Sequence, residues 1–336
     1  MNGSFSASRR PARRLGFSPP GRQAGAALLL ILSIVMVGAI AWAIQLGLRT
    51  AADIQAEKDA RTQQALMAAK EALIAWSVSQ TSPSTPGMMP CPEDLSLIGT
   101  SNEGQAQSGC GNALVVGRLP WKTLQTGRLI DGDGEALWYA LSPGFRQPPI
   151  NLAAGPYAQL ILDGAPNVVA IIFSPGPPLA GQTRNPNAPA PGAYLDGENA
   201  NGDLVFTGLA APNVNDRALA ISQKELLRAL ARRALNTARG VDNSNGLRRY
   251  FVNHSNSLPY AAATPNGSQI ANNSSGWLPL ADLDYPDAGS AWILPPPPAS
   301  RGNWTGVIQY QRLANNQAKL SLSWGGLTVE ETYDFP

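Results

Sequence analysis

The chain has few of the residues on which enzymes and metal sites commonly depend. Its 336 residues include one His and two Cys, which excludes His-rich metal sites, four-cysteine zinc sites and iron–sulfur clusters built by this chain alone. Charged residues make up 14%, below the ~25% of an ordinary soluble domain, whereas 33 Gly and 29 Pro indicate many turns. This composition argues against a compact all-helical enzyme.

Basic residues are concentrated near the N-terminus. Residues 1–52 contain six Arg and no acidic residue, so residues 53–336 carry 19 Lys and Arg against 23 Asp and Glu. The net charge of +2 therefore comes from one end of the chain. Since no excess of basic charge is left for the rest of the chain, we expect no nucleic acid partner.

A long apolar run follows the basic segment. Residues 26–48 carry no charge, and their polar side chains are Ser33 and Gln45. A helix of this length measures about 34 Å and spans a bilayer. Because the Arg residues precede the run, the positive-inside rule predicts a cytoplasmic N-terminus and an exported remainder. A cleaved secretory signal is the alternative, although its apolar region is normally shorter.

The helical pattern continues beyond the apolar run. Neither Pro nor a cluster of turn residues occurs between Ala26 and Gln80, and apolar residues recur at steps of three and four. Residues 49–80 therefore read as an amphipathic second half of one long helix. A membrane anchor followed by an independent helix fits the same periodicity equally well.

Residues 81–336 read as an exported domain of strands and helices. Ser222 and Glu225 form a capping box that predicts a helix ending at Gly240. The expected fold class is α+β, with a long N-terminal transmembrane helix packed on a C-terminal mixed α/β globular domain with antiparallel strands. The candidate strands are residues 113–116, 136–141, 158–162, 168–172, 305–312 and 318–324, the last two as a hairpin.

The two cysteines lie in one loop-like stretch. Cys91 and Cys110 are 19 positions apart among Pro, Gly and Ser residues. In an exported domain this arrangement predicts a disulfide. A redox centre is the alternative, but the chain has neither the CxxC spacing nor a nearby His.

An acidic loop offers the one candidate metal site. It contains Asp196, Glu198, Asn199, Asn201 and Asp203, whose side-chain oxygens are ligands that Ca²⁺ prefers. The loop is not an EF-hand, because Ala200 occupies the place of the third ligand. The alternative is that these residues form a solvated turn without a metal ion. Apart from Ca²⁺, we expect no cofactor.

The sequence holds no common catalytic motif. His254 is the single candidate general base, but no G-x-S-x-G motif precedes it, and its neighbours Asn253 and Ser255 indicate a polar surface loop. Nucleotide-binding motifs are also missing. We therefore expect a protein that is not an enzyme.

The junction at the start of the apolar run resembles that of a known family. It reads Arg22-Gln23-Ala24-Gly25-Ala26-Ala27-Leu28-Leu29-Leu30. Type IV pilin-like proteins have such a basic leader ending in Gly before an apolar helix, and the RQ-x-G-x-ALL form is similar to that of minor pilins and of the tip pseudopilin of type II secretion. In that family a prepilin peptidase cuts after the Gly and methylates the new N-terminus. The resemblance therefore implies a leader of residues 1–25 and Ala26 as the first mature residue.

The resemblance implies a structural function. A minor pilin or pseudopilin is a subunit of a type IV pilus or a type II secretion system, and its partners are other pilins, bound through the N-terminal helix, and the prepilin peptidase. It lies in the bacterial inner membrane with its domain in the periplasm. Most family members have Glu at the fifth mature position, where this chain has Leu30. This difference implies a place at the filament tip, where assembly begins.

Three other readings stay open. A membrane-anchored periplasmic binding domain outside any filament fits the same organisation, and an anchored hydrolase would use His254. Sequons at Asn253 and Asn303 also fit a eukaryotic single-pass glycoprotein.

Overall fold

The chain divides into two compact units, residues 1–57 and residues 58–336. Apart from its last three positions, which are helical, the predicted leader of residues 1–25 lies outside the described residues. The computed structural model describes residues 23–80, 87–111, 115–146, 158–209, 211, 213–283, 308–324 and 326–336.

A single long helix begins the described chain. Helix α1 covers Gln23–Ser79, 57 residues, without a break. This confirms the prediction of one continuous helix, and the alternative, an anchor followed by an independent helix, is wrong. In the described part of the chain, α1 is the one helix long and apolar enough to cross a membrane. Its side chains are exposed throughout residues 28–47. Within residues 58–79, by contrast, Ala65, Leu66, Ala69 and Leu73 are buried in the core of the second unit.

Polar side chains also fix the second half of α1 to its unit. Thr62 accepts a hydrogen bond from the Gly132 amide at 2.9 Å. The Lys70 ammonium donates to the Ala220 carbonyl at 2.9 Å and pairs with Glu225 at the same distance. Residues 58–79 therefore form part of the globular domain.

The first sheet has six strands, and β2 (Trp138–Leu141) and most of β4 (Ala165–Ser174) are buried on both faces. Its longest strand, β4, pairs antiparallel with β2, β3 and β6, while β1 pairs with β2 and β5 lies parallel to β3. Residues 168–174 of β4 are all buried, which explains the uninterrupted apolar run VVAIIFS in the sequence. The strands are β1 (Val115–Arg118), β2 (Trp138–Leu141), β3 (Leu160–Leu162), β4 (Ala165–Ser174), β5 (Val205–Phe206) and β6 (Arg217–Ser222).

Besides α1, three α-helices lie in the described part of the domain, and the longest of them follows its sequence signals. The short α2 covers Pro191–Tyr194, α3 covers Gln223–Arg239 and α4 covers Gly246–Asn253. The Ser222 hydroxyl accepts the Glu225 amide at 3.2 Å, and Gly240 has a φ of +88° at the other end of α3. The predicted helix and both of its caps are confirmed.

The second sheet has four antiparallel strands in the order β10, β9, β8, β7. Its inner face contributes Ile308, Tyr310, Leu320 and Leu322 to the same core as α1 and α3. The predicted hairpin is confirmed as β8 and β9, although residues 305–307 lie outside the described residues. The strands are β7 (Ser275–Trp277), β8 (Ile308–Ala314), β9 (Gln317–Trp324) and β10 (Leu327–Asp334).

The structure confirms the coarse fold class: a long apolar N-terminal helix and an α+β, β-rich C-terminal domain. The predicted strands at 136–141, 158–162 and 168–172 correspond to β2, β3 and β4. The predicted strand at 113–116 overlaps β1, and its first two residues lie outside the described residues. The strands β5, β6, β7 and β10 and the helices α2 and α4 were not predicted from the sequence.

Candidate functional site

The exposed half of α1 is the first candidate site. Residues 28–47 present apolar side chains on every side of the helix, as Leu28 (68% exposed) and Trp42 (68%) illustrate. Two hydroxyl groups in and beside this segment are satisfied locally, because the Ser33 hydroxyl donates to the Leu30 carbonyl and the Thr50 hydroxyl to the Leu46 carbonyl. Such a segment suits a lipid environment, in which every polar group needs a partner within the segment.

The predicted processing residues lie at the start of this helix. Gly25 and Ala26 belong to the first turn of α1, which begins at Gln23. The five Arg residues of the leader lie outside the described residues. Cleavage after Gly25 stays a prediction.

Cys91 and Cys110 form a disulfide with a Cα–Cα distance of 5.7 Å. The pairing predicted from the sequence is confirmed. Backbone hydrogen bonds tie the segment between them together, since the Asp94 amide donates to the Gln105 carbonyl at 2.7 Å and the Gln107 amide to the Pro92 carbonyl at 3.0 Å. Residues 91–110 are therefore a small closed lobe, which we call the disulfide lobe.

A buried ion pair connects the disulfide lobe to the first sheet. Glu93 and Arg118 have side-chain exposures of 0% and 5%, and their charged atoms Oε2 and Nε are 3.1 Å apart. The Gly104 amide also donates to Glu93 at 2.8 Å. Burial raises the pKa of Glu93 and the Arg118 charge opposes that rise. Gly104 is required here, because it has a φ of +89° and a Cβ would collide with the Trp121 indole.

The acidic loop folds around a residue that the sequence analysis did not select. The Asp216 carboxylate accepts hydrogen bonds from the Asp196 amide at 2.8 Å and from the Asn199 side chain at 2.9 Å. Asp196 in turn accepts from Gln182 at 2.7 Å and from the Asn215 amide at 2.8 Å. These residues join the two ends of the long connection between β4 and β6.

The surroundings of Asp216 are unusual for a carboxylate. Asp216 is 2% exposed, and its Oδ1 has no hydrogen-bond partner among the described residues. Burial raises the pKa of Asp216 to about 7; its two hydrogen bonds and Arg184 oppose the rise, while the nearby Asp196 charge adds to it. Asp216 is thus a buried acid with the Asp196 carboxylate nearby, and among the described residues no cation forms a salt bridge with it.

The other predicted calcium ligands lie apart from this cluster. Glu198 is exposed, and Asn201 and Asp203 bond to each other at 3.0 Å in a surface turn. Of the five predicted ligands, the structure thus brings together Asp196 and Asn199 in the interior and leaves three at the surface. Across the described ranges, no group of three or more His, Cys, Asp or Glu side chains is arranged to hold a metal ion. The calcium site stays a prediction.

Arg184 and Asp131 organise the neighbouring turns. Arg184 donates to the Gly176 carbonyl at 2.6 Å, pairs with Glu135 at 3.1 Å and lies 5.1 Å from the Tyr194 ring centre. The buried Asp131 carboxylate accepts from the Ser174 hydroxyl at 2.8 Å and from the Gly176 amide at 3.0 Å. Asp131 therefore holds the end of β4.

His254 lies on the surface, as the sequence indicates. Its Nδ1 is 2.8 Å from the Tyr250 carbonyl, and its ring stacks on the Tyr250 ring at 3.7 Å. In the described part of the chain, the imidazole thus contacts the ring and the carbonyl of Tyr250.

Three functional candidates could not be found from the sequence: Asp216, Arg184 and the buried Arg146. None of them lies in a motif, and the partners that define each one lie in other segments of the chain. Comparison with known proteins adds no further candidate residues. No family model, no curated protein and no solved structure matches this chain.

Proposed function

We propose that the chain is a membrane-anchored structural subunit of the type IV pilin-like class, a minor pilin or pseudopilin without catalytic activity. The observation that carries this proposal is α1. One continuous helix combines a fully exposed apolar segment at residues 28–47 with a stretch that packs into the domain core through Leu66, Ala69 and Leu73. This combination allows a helix to sit in a bilayer or among similar helices while it carries a folded domain.

Two further features support an exported domain. The disulfide between Cys91 and Cys110 suits an oxidising compartment such as the bacterial periplasm. The Arg residues that precede α1 favour a cytoplasmic N-terminus by the positive-inside rule. The proposed location is the inner membrane, spanned once, with the domain in the periplasm and with other pilins as partners of the helix.

Processing at Gly25 gives the proposal its sharpest test. The chain is expressed with and without an active prepilin peptidase, and the intact mass of the purified protein is measured. With the peptidase, the parent chain is expected to lose residues 1–25 and to gain one methyl group, whereas Gly25→Val keeps the leader. Gly38→Val is the matched control, because Gly38 lies in the same apolar segment with open space around its Cβ position. A Gly25→Val chain that matures normally contradicts the proposal.

The position in the filament is the finer part of the proposal. At the fifth mature position the family normally has Glu, which pairs with the N-terminal ammonium of the subunit above. Leu30 stands there in this chain and has no carboxylate. A subunit at the tip has no ammonium above it to neutralise, so we place this subunit at the tip, where it helps to start assembly.

Gold labelling of filaments tests this position. Label at the filament ends, together with fewer filaments after deletion of the gene, is the expected result. Regular label along the shaft, or a normal number of filaments after deletion, contradicts the tip position while leaving the processing result intact. Purification without any other pilin would instead favour a membrane-anchored binding domain that joins no filament.

A further inference from the structure

A cavity of about 440 Å³ lies beside the disulfide. This volume is in the range of sites that hold small organic ligands. One side of the cavity is apolar and adaptable, because the half-buried indole of Trp76 and the thioethers of Met88 and Met89 form it. The other side is the polar end of the disulfide lobe. The lining of the cavity includes Trp76, Met88, Met89, Gln107, Thr123 and Arg146.

Arg146 is a buried cation in the lining of this cavity. The residue is 5% exposed. Its guanidinium donates to two backbone carbonyls, those of Gly111 at 3.1 Å and Leu141 at 2.9 Å, and its Nε has no hydrogen-bond partner. Among the described residues no carboxylate pairs with it. Arginine is almost never this deeply buried without such a pair, because desolvating an uncompensated charge is costly.

The neighbouring phenol of Tyr139 does not supply the missing negative charge. Tyr139 interacts electrostatically with Arg146, but it is fully buried, and burial raises the pKa of its phenol well above the usual value. The phenol is therefore neutral, and its hydroxyl has no hydrogen-bond partner among the described residues. Burial also lowers the pKa of Arg146, which reflects the same lack of a counter-charge.

We propose that this cavity binds an organic carboxylate whose apolar part lies against Trp76, Met88 and Met89. A guanidinium presents its N–H groups in a planar fork that matches a carboxylate, and such charge-assisted hydrogen bonds are strong where water is excluded. Thioethers and an indole adapt to apolar groups of varied shape. The inference does not depend on whether the chain joins a filament.

Two kinds of ligand share this chemistry: a free organic acid and the C-terminal carboxylate of a peptide. Calorimetry on the full chain in a non-ionic detergent distinguishes them. The probes are 3-phenylpropanoate and an N-acetylated dipeptide that ends in leucine with a free carboxylate, each compared with its uncharged amide. We expect at least one carboxylate to bind at least tenfold more tightly than its amide, and the tighter carboxylate identifies the source. Equal binding of acids and amides, or no binding, overturns the proposal.

Two variants locate the site. Arg146→Gln removes the charge and is expected to weaken carboxylate binding at least tenfold. Because Arg146 also holds two carbonyls, Met88→Trp provides a second test that fills the cavity and leaves the guanidinium in place. We expect the same loss there, and a folded Met88→Trp chain with undiminished affinity overturns the proposal. Arg228→Gln is the matched control, since Arg228 is exposed on α3 and is not part of the cavity lining.

Discussion

Glu93 and Asp216 are two carboxylates buried in the same domain, and the charges around them differ in sign. Glu93 faces the Arg118 guanidinium at 3.1 Å, whereas Asp216 lies beside the Asp196 carboxylate and is held by an amide and an Asn side chain. A buried charge is tolerated when an opposite charge compensates it, and otherwise the group tends to become neutral. The comparison therefore predicts that the two sites fail in different ways.

The largest effect is expected from breaking the ion pair. Arg118→Met leaves Glu93 buried without its cation, and loss of one partner of such a pair typically costs about 3–5 kcal/mol of the free energy of unfolding. Urea denaturation followed by tryptophan fluorescence measures this change. The double variant Glu93→Gln/Arg118→Met leaves no charge and should recover much of the loss. A double variant as unstable as Arg118→Met would contradict an electrostatic cause.

Replacing Asp216 by Asn is expected to make the chain more stable than the parent, by an amount that depends on pH. Burial in the folded chain raises the pKa of the Asp216 carboxyl from its usual value of about 4 to about 7. The folded chain therefore binds the proton more tightly than the unfolded chain, and the stability that this proton provides is lost as pH rises from about 4 to about 7. Asp216→Asn has no such dependence. At pH 8 it should be more stable than the parent by up to ~4 kcal/mol, since each pKa unit corresponds to about 1.4 kcal/mol.

Thermal or urea denaturation of both chains between pH 4 and pH 8 tests this expectation. The difference in stability should be small near pH 4 and should grow toward pH 8. Asp203→Asn is the control, because Asp203 lies in the exposed part of the same loop. A difference that stays constant with pH would show that Asp216 is charged throughout the range.

Removing the disulfide is expected to lower the stability by a smaller amount, and it tests whether the sites at Glu93 and Asp216 are independent. Replacing Cys91 and Cys110 by Ser releases a loop of this size and should cost about 3 kcal/mol in the chain-entropy model. Because the disulfide lobe contains Glu93 and lies apart from Asp216 in the sequence, the pH response attributed to Asp216 should be unchanged. Thiol labelling of the denatured, unreduced parent chain checks that the disulfide is present, and two labelled thiols would show that it is not. Loss of the pH response in the Ser variant would show that the two regions are coupled.

The parts of the fold that the sequence predicts are those with local signals. The α3 helix has its N-cap at Ser222 and its C-terminal glycine at Gly240, both within a turn of the groups that they satisfy. The β8–β9 hairpin joins two alternating strands by a short turn. The strand β6 was missed because what marks it as a strand is pairing with β4, not an alternating pattern of its own. The strand β10 does alternate, with Leu327, Val329 and Tyr333 buried, so the sequence carried a local signal for it.

The candidate sites were less accessible to sequence reasoning. The oxygen-rich loop suggested one cation site, but Asp196 and Asn199 turn inward to Asp216, which is 20 and 17 positions away. Arg146 has no neighbouring motif, and its bond to Gly111 spans 35 positions. The structure alone shows that this guanidinium lines a cavity and meets no carboxylate among the described residues.

The sequence by itself determined the apolar helix, the α+β class and the cysteine pairing, whereas the structure decided that the helix continues without a break to Ser79. The first three properties depend on composition, on periodicity along one element, or on two cysteines in one short segment. Residues that are close together in the sequence are enough to determine each of them. Tertiary structure alone decided which charges are paired, which are buried alone and where the cavity lies. Those properties arise when distant segments exclude water from the same place, and the cost of a buried charge depends on every group that surrounds it there.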